Sequence, residues 1–220
     1  MIAKLPWQSW LALALTVVAA ISLPIMSTAP GYGAPITLSL FGLVLVGAAT
    51  PVVARSAAIE AVLLFLTAHG AAWLLIAGIA GHEGEATRAF FLLVAAAWLL
   101  AWRLATVLSA MKPRSRQAGW ALKLIVPAIF GVWILIIWEA VTRGAGIPFI
   151  LLPPPSAIGA KFAANLPILA ADVRQTIFKA VIAGYAIGCV SGFAVAILAD
   201  RFLFLRRGLM PIGNMVSALP

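Results

Sequence analysis

The sequence predicts an all-α, polytopic integral membrane protein with six transmembrane helices and both termini in the cytoplasm. Of its 220 residues, 64% are hydrophobic and 10% are charged, and the mean hydropathy is +1.12. A water-soluble domain carries far more charge. The apolar residues also gather into runs, and about 20 such residues cross a hydrocarbon core of roughly 30 Å. The cations, finally, lie between these runs in an alternating pattern.

Six apolar runs account for the predicted spans: residues 10–26, 36–54, 57–80, 89–110, 124–141 and 176–199. They are rich in Leu, Ala, Val and Ile and lack the alternation of polar and apolar residues that is typical of a membrane β-strand. A helix satisfies its own backbone hydrogen bonds in lipid, so each run is predicted to be helical.

The distribution of Lys and Arg predicts the orientation, because these residues are enriched in cytoplasmic loops. Four stretches are predicted to be cytoplasmic from their cations: Lys4, Arg55, Lys112, Arg114, Arg116, Arg201, Arg206 and Arg207. Residues 27–35 and 81–87 contain no Lys or Arg and are predicted to face outward. The third outward connection, residues 142–175, is longer, and three cations on it weaken the rule slightly: Arg143, Lys161 and Arg174.

The net charge and the amino terminus each admit another interpretation. The net charge of +9 does not indicate a nucleic-acid partner, because the cations lie at the ends of apolar runs and form no basic face interleaved with aromatic residues. Lys4, the apolar residues 11–21 and the small residues near 27–29 also resemble a cleavable signal peptide. Cleavage would remove the first helix without inverting the others.

The basic stretch from Lys112 to Gly119 contains Pro113 and predicts a boundary between two membrane units. We therefore expect a four-helix N-terminal extension over residues 1–118 and a second domain over residues 119–220. The second domain should contain two transmembrane helices joined by an outward amphipathic connector. In this connector, Ser156 follows three prolines and is predicted to cap a short surface helix.

Small residues recur every four positions along the sixth predicted helix: Ala180, Gly184, Gly188, Gly192 and Ala196. Such a stripe lets another helix approach closely. Helix packing is therefore the predicted role of these residues.

Ionisable residues inside the membrane are costly and serve as candidates for a polar site: His69, Glu60 and Glu139. The sequence favours ion pairs for the two carboxylates, Glu60 near Arg55 and Glu139 with Arg143 four residues later. His69 is predicted to be a neutral packing residue, with a proton relay as the alternative. No catalytic set, metal-ligand cluster or phosphate-binding loop is visible, so the sequence predicts no enzymatic activity, metal or cofactor.

Two segments of the chain carry a resemblance to a known family. Residues 138–158 read WEAVTRGAGIPFILLPPPSAI, and residues 184–220 read GYAIGCVSGFAVAILADRFLFLRRGLMPIGNMVSALP. Together they resemble the permease subunits of bacterial ABC importers of the nitrate, sulfonate and taurine type. The match covers roughly the last hundred residues and rests on five parts: the Trp138 and Glu139 pair, the LPPPS stretch, the glycine-spaced helix, the Arg206 and Arg207 pair, and the segment from Pro211 to Pro220.

The resemblance implies a noncatalytic permease subunit in the bacterial cytoplasmic (inner) membrane that transports a small solute by alternating access. Its implied partners are a second permease subunit in a homodimer, cytoplasmic ABC ATPases and a periplasmic solute-binding protein. The family's ATPase-docking motif is not found before Pro220, so we expect the chain to be the amino-terminal part of a longer permease. The alternative is a noncatalytic membrane scaffold or assembly protein.

Overall fold

The computed structural model describes residues 5–27, 32–113 and 115–217. Within these ranges the regular elements are helical, apart from an isolated bridge between Met26 and Ala86. In chain order the helices are α1 (Trp7–Ile21), α2 (Ala34–Val53), α3 (Ala57–Ile79), α4 (Arg88–Ala110), α5 (Arg116–Gly144), α6 (Pro155–Ala164), α7 (Leu166–Val173), a π-helical segment (Arg174–Val181), α8 (Ile182–Arg201) and α9 (Leu203–Ser217).

Five stretches of helix are long and apolar enough to cross a membrane, which confirms the helical, multi-pass character of the chain. They are α2, α3, α4, α5 and the continuous stretch Leu166–Arg201. The first predicted span, residues 10–26, differs: α1 has 15 residues and is about 22 Å long. It ends at Ile21 because Leu23 precedes Pro24, and a residue before proline disfavours helical backbone.

The first structural unit extends to Gly159 and is organised around α4, which packs against α1, α2, α3 and α5. Its core is built from aliphatic residues and alanines of these helices together with Phe90 and Trp133. On α1, small residues at helical spacing are buried: Ser9, Ala12, Thr16 and Ala19. This helix packs mainly against α4. At one end of this contact, the rings of Trp7 and Trp102 meet edge to face with centroids 5.2 Å apart.

The break predicted over residues 112–119 is shorter in the structure. Helix α5 begins at Arg116, because the Ser115 hydroxyl accepts a hydrogen bond from the backbone N–H of Ala118 at 3.1 Å. The structure divides into units elsewhere, between Gly159 and Ala160. The domain boundary between residues 118 and 119 stays a prediction.

The amphipathic connector forms two helices, α6 and α7, instead of the single one predicted. They are separated at Asn165, because Pro167 has no N–H to donate to the preceding turn. The second unit begins at Ala160, and there α7 continues through the π-helical segment into α8. Helix α9 then follows a break at Phe202.

Candidate functional site

Three connections meet at one end of the first unit. The backbone N–H of Ser27 donates to the carbonyl of Glu85 at 2.9 Å, and that of Thr87 donates to Ile25 at 3.0 Å. The N–H of Gly84 donates to the carbonyl of Arg143 at 2.8 Å. The stretches after α1, α3 and α5, which the sequence predicts to share the outward side, therefore lie together.

Glu139 is the buried acid at this end, and its side chain caps α6. The first residue of α6, Pro155, has no N–H, so the first free donor of this helix is the N–H of Ser156. That N–H donates to Glu139 Oε2 at 2.9 Å, and the Ser156 hydroxyl donates to Oε1 at 2.6 Å. The prediction that the Ser156 side chain caps this helix was therefore wrong. Helix α6 begins one residue before Ser156, and its capping group is the Glu139 carboxylate of α5.

Arg143 completes this group of side chains. Its Nε donates to Glu139, as predicted for residues four apart on one helix face. Its Nη2 donates to the Ser156 hydroxyl at 2.9 Å, and its Nη1 donates to Glu83 Oε1 at 3.0 Å. We call these four residues, Glu83, Glu139, Arg143 and Ser156, the Glu139 cluster. It joins α5 to α6 and to the loop between α3 and α4.

The Glu139 cluster holds two carboxylates around one guanidinium, and the loop acid is kept ionised. Desolvation of Glu83 would raise its pKa, but hydrogen bonds from its own N–H and from the N–H of Gly81, together with the charge of Arg143, outweigh it. The net effect lowers the pKa of Glu83 below its ordinary value.

Two glycines allow the loops of the cluster to touch. Gly84 and Gly146 have φ values of +90° and +62°, in the left-handed region that favours glycine. A Cβ atom on Gly146 would lie 2.7 Å from the Cα of Gly84. Larger side chains at these positions would separate the loop after α3 from the end of α5.

A second polar contact lies in the other half of the first unit. Glu60 of α3 accepts hydrogen bonds from Nε and Nη2 of Arg103 on α4, at 3.0 and 2.8 Å. The sequence favoured Arg55 as the partner of Glu60. The structure instead pairs Glu60 with Arg103 across helices, with both side chains largely shielded.

His69 makes the contacts of a packing residue. Its Nδ1 lies 2.9 Å from the carbonyl oxygen of Phe65, which can only accept, so Nδ1 carries the hydrogen. The imidazole packs against the rings of Phe65 and Trp133, with centroid distances of 4.3 and 5.6 Å. These contacts favour the packing interpretation over the proton relay.

The structure also contains an apolar groove between α4 and α5 that sequence reasoning missed. Its volume is about 550 Å³, and four aromatic side chains dominate its wall: Trp98, Trp102, Phe130 and Trp133. In the sequence these residues fall in two separate apolar runs and look like ordinary membrane-facing side chains. Only the packing of α4 against α5 brings them together.

Within the second unit, the glycine stripe of α8 contacts no other described element. Among the described residues, no atom outside the helix lies within 4 Å of a Cβ built on Gly184, Gly188 or Gly192. Ala180 falls in the π-helical segment, and Ala196 is exposed on α8. The role of the stripe in helix packing stays a prediction.

The three candidates for an intramembrane polar site are not brought together. Glu60 pairs with Arg103, Glu139 lies in the cluster near the loops, and His69 packs among aromatic rings. Within the described ranges, no group of three or more His, Cys, Asp or Glu residues could hold a metal ion. Comparisons with protein-family models, with curated proteins and with solved structures give no significant match.

Proposed function

We propose that this chain is the transmembrane permease subunit, or a fragment of the permease subunit, of an ATP-driven importer. It would move a small solute such as a sulfonate, nitrate or a related organic compound across the bacterial cytoplasmic membrane. One observation carries the proposal. Glu139 belongs to the Trp138 and Glu139 part of the resemblance, Ser156 belongs to the LPPPS part, and the two side chains hydrogen-bond to each other.

This contact supports the resemblance because it joins two parts of it, which lie 17 positions apart, in one hydrogen-bonded structure. The acid of the first motif caps the helix that follows the prolines of the second. If the likeness of these two parts were due to chance, there would be no reason for Glu139 of the first to accept a hydrogen bond from the backbone N–H of Ser156 in the second.

In this proposal the chain itself is noncatalytic. Hydrolysis of ATP belongs to separate cytoplasmic subunits, a second permease subunit completes a homodimer, and a periplasmic protein delivers the solute. The Glu139 cluster lies at the end of the bundle where the predicted outward connections meet, so it would face the solute-binding protein.

A second candidate, a noncatalytic membrane scaffold, is favoured by the interior of the first unit. Its buried side chains are overwhelmingly aliphatic or aromatic, and the buried hydroxyls of Thr16, Thr50 and Thr67 bond to carbonyls of their own helices. Among the described residues of this unit, such an interior offers no polar path to a solute. Helices α1 to α4 would then act in assembly, whatever the rest of the chain does.

Reconstitution separates the two candidates. The chain is co-expressed with an ATPase and a solute-binding protein of this importer class, purified and placed in proteoliposomes. A permease subunit should copurify with the ATPase and support ATP hydrolysis that rises when the loaded binding protein is added. A scaffold would give no such rise. Ser156→Ala should reduce the stimulation severalfold, because it removes the hydroxyl that bonds to both Glu139 and Arg143 in the Glu139 cluster. Ser191→Ala on α8 serves as the matched control.

A further inference from the structure

The aromatic groove between α4 and α5 continues into a second cavity. This second cavity, of about 430 Å³, shares Val126 and Pro127 with the groove. It extends along the two helices toward the connection between them and is lined there by Ser109, Pro113 and Lys123. The two cavities together form one crease, which we call the α4–α5 crease. One part of it is apolar and aromatic, and the other part is bordered by a cation.

The charged residues at the crease are cations, without carboxylates beside them on α4 or on the crease-lining part of α5. Between Glu85 and Glu139 the sequence contains no acidic residue, so neither α4 nor the crease-lining part of α5 offers a carboxylate. Lys112 of the connection and Arg116, the first residue of α5, are both exposed near this end of the crease. Lys123 stands over the ring of Trp120, with its Nζ 5.8 Å from the ring centroid. The acid of α3, Glu60, is already paired with Arg103. The cations at the end of the crease therefore favour an anionic group.

The shape of the crease favours a flexible chain over another helix. Helix interfaces in membranes use small residues that let the backbones approach. Here the rim is formed by large side chains, with Phe130 and Trp102 exposed at 66% and 45%. Cavities of about 300–1,000 Å³ are of the size that holds a small ligand. An acyl chain can lie between such side chains, whereas a helix would be held away by them.

We propose that the α4–α5 crease binds an anionic phospholipid, with an acyl chain against the aromatic wall and the headgroup phosphate at Lys123. Two features carry the inference: the continuity of the aromatic groove with the basic cavity, and the lack of acidic residues on α4 and on the crease-lining part of α5. It rests on the membrane location of α4 and α5 and is independent of the proposed transport function. Basic residues near a membrane surface attract anionic lipid in the same way.

The test measures quenching of tryptophan fluorescence by brominated lipids in delipidated protein in detergent. Three of the eight tryptophans line the groove: Trp98, Trp102 and Trp133. Brominated phosphatidylglycerol should quench at lower concentration than brominated phosphatidylcholine. Lys123→Gln should reduce this preference about fivefold, the effect of one cation near an anionic surface. Arg88→Gln, which removes a cation at the opposite end of α4, should leave the preference unchanged.

A second pair of variants tests the acyl-chain site. Ala105→Phe fills the groove and should weaken quenching by both lipids, whereas Ala128→Phe, at an exposed position of α5 outside the lining, should not. Equal quenching by the two lipids, or equal effects of Lys123→Gln and Arg88→Gln, would overturn the proposal. A change of oligomeric state in Ala105→Phe with unchanged quenching would also overturn it, since the groove would then be a protein interface.

The Lys123→Gln variant alters an exposed side chain, so its effect on the lipid preference does not depend on repacking of the core.

Discussion

The pair formed by Glu60 and Arg103 shows how polar side chains are accommodated between α3 and α4. Both hydrogen bonds go to the same carboxylate oxygen, at 3.0 and 2.8 Å. Leaving either charge alone in a largely apolar setting would be costly. The sequence could not identify this pair, because the partners are 43 positions apart and Arg55 is closer along the chain.

A double-mutant cycle measures the coupling between these two residues. Glu60→Gln, Arg103→Gln and the double variant are compared by the free energy of unfolding in mixed micelles. We expect a coupling energy of about 1 kcal/mol, as for polar contacts between membrane helices. The parallel cycle of Glu60→Gln with Arg55→Gln should be additive within about 0.5 kcal/mol. The reverse ranking of the two cycles would show that Arg55 is the true partner.

The Glu139 cluster was only partly predictable. The pair of Glu139 with Arg143 follows from their spacing on one helix face, and the sequence favoured it. The bonds to Ser156 and Glu83 join loops that follow different helices, and their formation depends on the packing of the bundle. Sequence reasoning named Glu139 and its pairing with Arg143 but could not find the other groups that bond to this carboxylate.

Among the helices, α2, α3 and α4 could be predicted closely because their apolar runs end at clear signals. Ser56 caps α3 by accepting from the N–H of Ile59 at 3.3 Å, and Thr87 caps α4 by accepting from Ala89 at 3.2 Å. The length of α1 was overestimated, because the apolar residues beyond Ile21 form a loop that bonds to Glu85 and Thr87. Apolar composition alone does not distinguish such a loop from helix.

Two stripes of small residues occur in this chain, and sequence reasoning identified only one of them. The glycines of α8 stand out because they recur every four positions. The stripe on α1, which is made of Ser, Ala and Thr, is the one that is buried in the first unit. Mixed small residues give a weaker pattern than glycine, yet they allow the same close approach of helices.

The exposed stripe of α8 predicts self-association in the membrane. Gly188→Leu should weaken it about tenfold, or about 1.4 kcal/mol, because a large side chain would hold a second helix away. The substitution has open space within the described part of the chain, so folding of the single chain should be unaffected. Energy transfer between chains labelled at Cys189, the only cysteine, reports the association in vesicles.

The matched control for this prediction is Ala186→Leu, which places the same side chain on the opposite face of α8. It should leave energy transfer unchanged. Equal loss of transfer in both variants would show that bulk, and not the stripe, controls association. Unchanged transfer in Gly188→Leu would remove the stripe from the proposed homodimer.

At the scale of the whole molecule, the two ends of the first unit differ in chemistry. One end gathers the loops after α1, α3 and α5 around the Glu139 cluster. The other bears Arg55, Lys112 and Arg116, all exposed. This separation matches the alternation of cations that predicts the basic end to be cytoplasmic.

The position of α1 decides whether the chain has six spans or five. This helix is about 22 Å long, against roughly 30 Å of hydrocarbon. Its first residue, Trp7, lies beside Trp102, about two turns before α4 ends at Ala110. A short span can be accommodated by local thinning of the bilayer, and Trp7 and Trp10, both exposed, are suited to the membrane interface. We therefore expect α1 to cross, with its beginning on the basic side.

Cysteine labelling in intact cells tests this topology in a Cys189→Ala background. Phe149→Cys, in the exposed loop after α5, should react with a membrane-impermeant maleimide, whereas Lys112→Cys should react only after the membrane is permeabilised. Leu5→Cys should behave like Lys112→Cys if α1 spans the bilayer. Labelling of Leu5→Cys in intact cells, with the other two variants as expected, would leave five spans and an outward amino terminus. In that five-span case α1 would still pack against the bundle, because Ala12 and Ala19 are fully buried, but it would do so from the outer side of the membrane.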